Sequence, residues 1–253
     1  MVKLPYLNLL DLISENSLIK KRLLIKLSGE VLKGPLSGGL DWKTIDLVCK
    51  RIVSVIKQTG VELGFVIGGG NIFRGANHDI ENYDRLLGDN MGMMATVING
   101  LALVERFRAQ GIDAILQSGV NIDGVAPLFT IDKTEEQFRK GGVVVFCGGI
   151  GNPYFSTDTT AALRALQIKA DYLVKATKVD GIYDKDPMKY NDAQKYEEIS
   201  YKEIIDQRLQ IMDLTAMQLL SINKMKLLVF SMTEEGALEG ICRGEHIGTI
   251  VKE

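Results

Sequence analysis

The fold is decided by one stretch of sequence, Phe65-Val66-Ile67-Gly68-Gly69-Gly70-Asn71-Ile72-Phe73-Arg74-Gly75. In this stretch an apolar run typical of a buried strand ends in three consecutive glycines and an arginine. Glycines adopt positive φ and let a ligand approach backbone N–H groups, and N–H groups at a helix N-terminus bind anions. Arg74 adds a planar guanidinium that can pair with a phosphate. The stretch predicts a phosphate-binding loop, with a tight strand-to-helix turn as the alternative.

Two common phosphate-binding signatures do not fit this loop. The chain contains no G-x-x-x-x-G-K-[ST] sequence, which excludes the usual P-loop. Phe73 stands where the dinucleotide-binding motif G-x-G-x-x-G requires its third glycine. A phosphate site at this loop therefore belongs to another architecture.

Composition and charge are those of an ordinary globular protein. The 253 residues are 46% hydrophobic and 25% charged, which suits one large domain or two closely joined lobes. A formal net charge of −2 argues against electrostatic binding to nucleic acid or to a membrane surface. Three widely spaced cysteines and two histidines argue against a disulfide framework or a Cys/His zinc site.

Residues 1–20 are predicted to be a separate leader. They mix leucines with Asp11 and Glu15, contain no uninterrupted apolar core and are not rich in arginine, so neither a secretory signal nor a transit peptide fits. No apolar run in the chain reaches the length of a membrane span. We therefore expect a cytoplasmic protein.

Predicted strands and helices alternate from Arg22 to the C-terminus. This alternation predicts an α/β fold with a mainly parallel central sheet sandwiched by helices. In such sheets, ligands bind beyond the carboxyl ends of the strands. Segments that follow four predicted strands should then converge on one crevice: Lys26, residues 68–74, residues 148–158 and residues 175–177.

Some of these residues have a structural interpretation as well as a functional one. Lys26, at the end of an apolar strand, either points a charge into the crevice or lies in solvent on an edge strand. Residues 76–87 are predicted to be a polar loop before a long helix that starts at residues 88–89. Asp89 is then either the N-cap of that helix or a carboxylate that accepts hydrogen bonds from sugar hydroxyls. Ser156 and Thr157 either cap a helix or contact a phosphate.

Five motifs resemble those of the bacterial uridylate (UMP) kinases within the amino acid kinase family. They are KLSGE at residues 26–30, GGGNIFRG at 68–75, GDNMGM at 88–93, GNPYFSTD at 151–158 and KATKVDG at 175–181. The resemblance begins near Lys21 and continues, in order, to the C-terminus. It implies one amino acid kinase-like domain over residues 21–253, with an acceptor-side lobe and an ATP-side lobe.

The resemblance implies Mg²⁺-dependent transfer of the γ-phosphoryl group of ATP to UMP, giving UDP and ADP in pyrimidine nucleotide biosynthesis. Lys26, Arg74 and Asp158 match the family's catalytic residues, with Asp158 orienting the lysine. No residue of the chain is expected to hold the metal, because Mg²⁺ travels on the ATP phosphates. The positions that match the ATP side are Lys26, Leu27, Ser28, Gly29, Gly70, Arg74, Thr177, Tyr183 and Asp186.

The acceptor side also has matching positions in this chain. Ile150, Tyr154 and Ser156 are conservative departures from the residues that relatives often carry, and they affect fine contacts alone. The positions that match the UMP side are Gly69, Asp89, Ile150, Gly151, Asn152, Pro153, Tyr154, Phe155, Ser156 and Thr157.

Regulation and assembly are further expectations from the resemblance. Relatives form homo-hexamers that GTP activates and UTP inhibits, and we assign assembly here to the helix around residues 91–107. Two alternatives for the function are a kinase of the same fold that acts on an acyl phosphate acceptor, and a nucleotide-binding protein without turnover. The glycine-rich segment assigned to regulation comprises Gly34, Pro35, Leu36, Ser37, Gly38 and Gly39.

Overall fold

The first strand lies inside the sheet rather than at its edge. The computed structural model describes residues 21–75 and 83–253, so the predicted leader lies outside the described residues. β1 (Arg22–Leu27) pairs in parallel with β2 (Glu62–Ile67) on one side and with β5 (Tyr172–Thr177) on the other. The alternative of Lys26 on an edge strand is therefore wrong.

The other strands in the described residues are β3 (Ala114–Ser118), β4 (Val143–Cys147), β6 (Ile182–Tyr183), β7 (Lys195–Tyr196), β8 (Glu198–Ser200), β9 (Lys226–Ser231) and β10 (Thr249–Lys252). Eight of the described strands form one sheet in the order β3-β4-β2-β1-β5-β9-β10-β8. All neighbours in it are parallel except β9 and β10, as the alternation of strands and helices predicted. A separate two-stranded ribbon joins β6 and β7.

The described helices are α1 (Gly29–Lys33), α2 (Trp42–Thr59), α3 (Arg85–Ala109), α4 (Ile131–Arg139), α5 (Thr157–Gln167), α6 (Tyr201–Asp206), α7 (Leu214–Ile222) and α8 (Ala237–Arg243). They cover both faces of the sheet, because successive apolar side chains of the parallel strands point to opposite faces. Leu23, Ile25 and Leu27 of β1 pack with α2, α3 and α8, whereas Leu24 packs with α4, α5, α6 and α7.

The long helix α3 begins earlier than the sequence indicated. Its N-cap is Asp84, whose carboxylate accepts hydrogen bonds from the N–H groups of Leu86 (2.8 Å) and Leu87. The interpretation of Asp89 as the N-cap is therefore wrong, because Asp89 lies one turn inside the helix. Of the predicted loop, residues 76–82 lie outside the described residues and residues 85–87 form the first turn of α3.

None of the helices in the described ranges combines the length and the apolar character needed to cross a membrane.

An aromatic pair joins α3 to the sheet and generates a stability prediction. Phe65 of β2 and Phe107 of α3 are both fully buried, with ring centroids 5.4 Å apart. We expect Phe107→Ala to lower the free energy of unfolding by about 3–5 kcal/mol, because it leaves a cavity under the helix. Urea unfolding followed by circular dichroism measures the change. The control is Leu86→Ala on the same helix, where the side chain is 45% exposed, and a loss as large there would contradict the prediction.

Candidate active site

A carboxylate between two lysines occupies the carboxyl end of the sheet. Lys26 of β1 and Lys175 of β5 are partners in the strand register, so their side chains leave adjacent strands at the same level. The Lys26 Nζ lies 3.0 Å from Oδ1 of Asp158, and the Lys175 Nζ lies 2.9 Å from Oδ2. Asp158 belongs to the first turn of α5. All three side chains are between 15% and 17% exposed, so the group faces a partly dry crevice.

Burial and charge act in opposite directions on these groups. Burial by itself would raise the pKa of Asp158, but the charges of Lys26 and Lys175 outweigh it and hold the pKa below its ordinary value. Burial lowers the pKa of Lys175, and the nearby Lys26 charge adds to this shift while Asp158 opposes it. Asp158 is therefore ionised at neutral pH and lets two cations lie close together.

Among the three glycines after β2, Gly69 is needed for close packing rather than for positive φ. None of the three has a positive φ, which corrects that part of the sequence argument. A Cβ on Gly69 would lie 2.8 Å from the Gly92 carbonyl oxygen of α3 and 2.8 Å from the Ala95 Cβ. A Cβ on Gly29 would lie 2.8 Å from the Gly68 oxygen, so the loops after β1 and β2 touch. Both bare backbones therefore face the same end of the sheet.

The segment after β1 is built as a short helix start. Ser28 is the N-cap of α1, and its Oγ accepts a hydrogen bond from the Glu30 N–H (3.3 Å). The Leu27 carbonyl accepts from the Gly68 N–H (3.0 Å), which fixes the two loops side by side. Leu27, Ser28 and Gly29 thus lie directly beyond Lys26.

Arg74 lies at the outer rim of these loops. Its Nη2 is 2.5 Å from Oε1 of Glu30, and its Nε donates to the Gly70 carbonyl (3.1 Å). The side chain is 51% exposed. Arg74 is therefore near the glycine loop and paired with Glu30, not with the Asp158 group.

A cavity of about 690 Å³ opens beside β5, and the residues predicted to surround the nucleoside of ATP line it. Lys175, Thr177, Tyr183 and Asp186 are all in its wall. Thr177 donates to the Val179 carbonyl (2.5 Å), which tightens the turn after β5. The Tyr183 hydroxyl donates to Asp180 (2.7 Å), which raises its pKa to about 12.

A second cavity, of about 410 Å³, contains the predicted acceptor residues. Asp89 of α3 lies in its wall, and Oδ2 of this carboxylate accepts from the Tyr154 N–H (2.7 Å). The Arg85 guanidinium stacks over the Tyr154 ring, 4.8 Å from its centroid. Phe155 and Ser156 line the same cavity, and Ser156 is the N-cap of α5.

The loop between β4 and α5 carries the remaining acceptor residues. Gly148, Gly149 and Gly151 have positive φ, so this loop does need glycine for its backbone conformation. A Cβ on Gly119 would lie 2.4 Å from the Gly149 carbonyl oxygen, so the loop is held against the end of β3. The structure places Ile150, Gly151, Asn152 and Pro153 in this loop and Thr157 at the start of α5, near Gly68.

The segment assigned to regulation lies behind the glycine loop. Residues 34–39 form turns after α1, and the Gly39 N–H donates to the Asn71 carbonyl (2.8 Å). Gly34, with a φ of 53°, ends α1. The segment therefore touches the glycine loop at Asn71 and not at the Asp158 group.

The sequence motifs assign no role to two residues of the site. Lys175 is one of them, although it lies near the end of a buried strand as Lys26 does. Asp213, the N-cap of α7, accepts from the Ser156 hydroxyl and from the Thr159 hydroxyl (3.0 Å). Its position before a helix indicates a cap, and the contact with α5 appears in the fold alone.

Within residues 21–75 and 83–253, no group of three or more His, Cys, Asp or Glu side chains is placed to hold a metal ion. Asp158 is the carboxylate closest to the two lysines, and its charge is already shared by them. A metal ion bound to a nucleoside triphosphate would be coordinated mainly by phosphate oxygens.

Comparison with known proteins is consistent with this geometry. Two uridylate kinases, from Actinobacillus pleuropneumoniae serotype 5b and from Magnetococcus marinus, are 43% and 44% identical to the chain over 233 residues. These matches cover 92% of this chain and 98% and 96% of the relatives. The crystal structures of UMP kinase from Bacillus anthracis and from Ureaplasma parvum superpose with TM-scores of 0.87 and 0.85. Their sequences are 32% and 35% identical, and the matches cover 92% of this chain and 96% and 99% of theirs.

The fold thus has counterparts in solved structures along nearly the whole described chain. A model of the amino acid kinase family matches residues 21–231, which includes every residue of the Lys26, Asp158 and Lys175 group. The chain belongs to the amino acid kinase family.

Proposed function

We propose that the protein is a uridylate kinase that transfers the γ-phosphoryl group of ATP to UMP, giving UDP and ADP. The observation that carries the proposal is the Asp158 carboxylate held between Lys26 and Lys175. This group lies at the carboxyl end of the sheet, where two cavities of nucleotide-binding size open. The names of the relatives support the choice of UMP as acceptor. The reaction belongs to pyrimidine nucleotide biosynthesis, and we propose the cytoplasm as its location.

The chemistry follows from the charges of the site. An ionised phosphate oxygen of UMP attacks the γ-phosphorus of ATP, the bond to the β-phosphate oxygen breaks, and ADP leaves. No general base is required, because the attacking oxygen already carries the negative charge. Phosphoryl transfer passes through a loose transition state whose charge is spread over the equatorial oxygens, so fixed cations and amides lower the barrier.

The residues of the chain divide this work. Lys26 and Lys175 present two ammonium groups to the transferring phosphate, and Asp158 holds both in place. Backbone N–H groups of the loops after β1 and β2 bind phosphate oxygens, and Arg74 reaches the ATP side after it leaves Glu30. Mg²⁺ bound to the ATP phosphates would neutralise part of their charge, and no residue of the chain is proposed to hold it.

The two cavities receive the two nucleosides. Thr177, Tyr183 and Asp186 surround the ATP nucleoside in the cavity beside β5. On the other side, Asp89 accepts hydrogen bonds from the UMP ribose through Oδ1, since its Oδ2 already binds the Tyr154 N–H. We accordingly propose one domain over residues 21–253, with an acceptor-side lobe and an ATP-side lobe that share β1.

Assembly into a homo-hexamer, activation by GTP and inhibition by UTP are part of the proposal. One face of α3 supports the assembly, because four apolar side chains spaced three or four residues apart are exposed on it. They are Met91, Met94, Ile98 and Leu101. Residues 34–39 are our candidate for regulation, since they touch the glycine loop at Asn71.

Loss of one lysine tests the catalytic group. We expect Lys26→Ala to lower kcat by about 10³-fold, equivalent to about 4 kcal/mol of barrier, because the transferring phosphate loses a fixed cation. Coupled ADP release at saturating ATP and UMP measures the change. Lys50→Ala, which removes an exposed lysine of α2, is the control. A kcat of Lys26→Ala within a few-fold of this control would exclude the role.

A panel of acceptors tests the reaction itself. We expect ADP release from ATP and Mg²⁺ with UMP and not with aspartate or carbamate, since the acceptor cavity offers Asp89 to a ribose. AMP has the same ribose as UMP, so the rate with AMP tests whether a purine base is accepted. CMP measures how strictly the base is read. Addition of GTP should raise the rate and UTP should lower it. Turnover with aspartate or carbamate would favour an acyl phosphate kinase, and nucleotide binding without any turnover would favour a binding protein.

A charge on the exposed face of α3 tests the assembly. We expect wild-type protein to elute as a hexamer, and Ile98→Asp to elute as a smaller species, because a carboxylate in an apolar contact is costly to desolvate. Size-exclusion chromatography with light scattering gives both masses. Ile222→Asp, at a side chain that is 79% exposed on α7, should leave the mass unchanged. A hexamer that persists in Ile98→Asp would place the contact elsewhere.

A further inference from the structure

Two buried asparagines connect the glycine loop to α3. Asn71 follows the three glycines and is 6% exposed, and Asn99 lies in the middle of α3 and is fully buried. The Nδ2 of Asn71 donates to Oδ1 of Asn99 (3.0 Å), and the Nδ2 of Asn99 donates to Oδ1 of Asn71 (2.7 Å). The two amides therefore form a reciprocal pair.

The second N–H of each amide binds a loop carbonyl. Asn99 donates to the Gly68 oxygen (2.7 Å), and Asn71 donates to the Gly39 oxygen (2.8 Å). An asparagine side chain has two N–H donors, so all four donors of the pair are used. Rotation of either amide would set oxygen against oxygen, so the pair has a single arrangement.

The pair also lies against the loop that follows β1. A Cβ on Gly29 would come 2.2 Å from Oδ1 of Asn71 and 2.8 Å from the Gly68 oxygen. The backbone of Gly29 and the backbone of Gly68 therefore meet at the asparagine pair. Both loops belong to the proposed phosphate site, and neither asparagine lines either nucleoside cavity.

A pair of apolar side chains could fill this space but could not donate hydrogen bonds to the loop carbonyls. Without the amides, the Gly68 oxygen would be buried without this hydrogen bond, and the partly buried Gly39 oxygen would lose its hydrogen bond as well. A fully satisfied polar network inside a protein fixes one arrangement of the groups it joins. The pair thus fixes where the loop starts relative to α3.

We propose that Asn99, through its pairing with Asn71, is a positioning residue for phosphoryl transfer that sets the place of the 68–70 loop. Asn99 touches no reacting atom and acts through the Gly68 carbonyl. The inference rests on the proposed function, because it gives the loop its part in binding phosphate.

The test compares two truncations on one helix. Asn99→Ala removes the amide, whereas Leu103→Ala removes a fully buried side chain one turn further along α3 and keeps the pair. At saturating substrates, kcat of folded Asn99→Ala should be about 30-fold below that of Leu103→Ala, with KM values within about three-fold, because the loop is misplaced while the nucleoside contacts remain. Thermal unfolding gives the folded fraction of each variant.

Hydrogen exchange supplies a readout that needs no turnover. The Ile72 and Phe73 N–H groups both donate to the Gly69 carbonyl (3.0 Å each). In nucleotide-free Asn99→Ala, these two amides should exchange at least about ten-fold faster than in Leu103→Ala, because the loop is released locally. If wild-type protein shows no turnover with UMP, the proposed function fails, and this exchange comparison still decides whether the asparagine pair places the 68–70 loop.

Asn71→Ala is the second variant, and it tests the inference in case Asn99→Ala does not fold. It should reproduce the loss of kcat, and the double variant should be no more than about three-fold below the lower single variant, because both residues act through one pair. The inference is overturned if kcat and exchange in Asn99→Ala both match those of Leu103→Ala.

Discussion

The attraction between one carboxylate and two ammonium groups sets the conditions for the rest of the structure. Lys26 and Lys175 leave neighbouring strands at the same level, and without Asp158 their charges would repel each other in a partly dry crevice. Parallel pairing of β1 and β5 fixes the two lysines, and the first turn of α5 brings in the carboxylate. The sheet, the loop before α5 and the packing of α5 are therefore all required for one small cluster of charges.

Glycine serves this architecture in two different ways. At residues 148, 149 and 151 the backbone has positive φ, which residues other than glycine seldom adopt. At residues 29 and 69 the φ values are ordinary, and glycine is required because a Cβ would meet a neighbouring loop or helix. Similar runs of glycine in a sequence can therefore be required for different reasons, either for a positive φ or for close packing without a Cβ.

The sequence predicts most of the fold but only part of the site. The alternation of apolar strands and amphipathic helices predicted the parallel sheet, because periodicity is a local property. Motif resemblance named Lys26 and Asp158, but the role of Lys175 depends on the register of two strands that are distant along the chain. Asp84 caps α3 although Asp89 stands beside the glycine, since a helix start is decided by backbone geometry that two nearby aspartates leave open. The reciprocal contact of Asn71 and Asn99 depends likewise on where α3 crosses the loop.

The central place of β1 has a consequence for how acceptor specificity can diverge. The segments that follow β2 and β4 line the cavity next to Asp89, and β5, β9 and the segment that follows β5 line the other cavity. Residues 213–215 line the first cavity and residues 207–211 line the second, so this one segment reaches both. The distance between the two halves is set by the spacing of hydrogen-bonded strands, about 4.8 Å per step, and not by a hinge. The loops after β2 and β4 can therefore change in evolution without moving β5 and β9, whereas a change in residues 207–215 would alter both cavities at once.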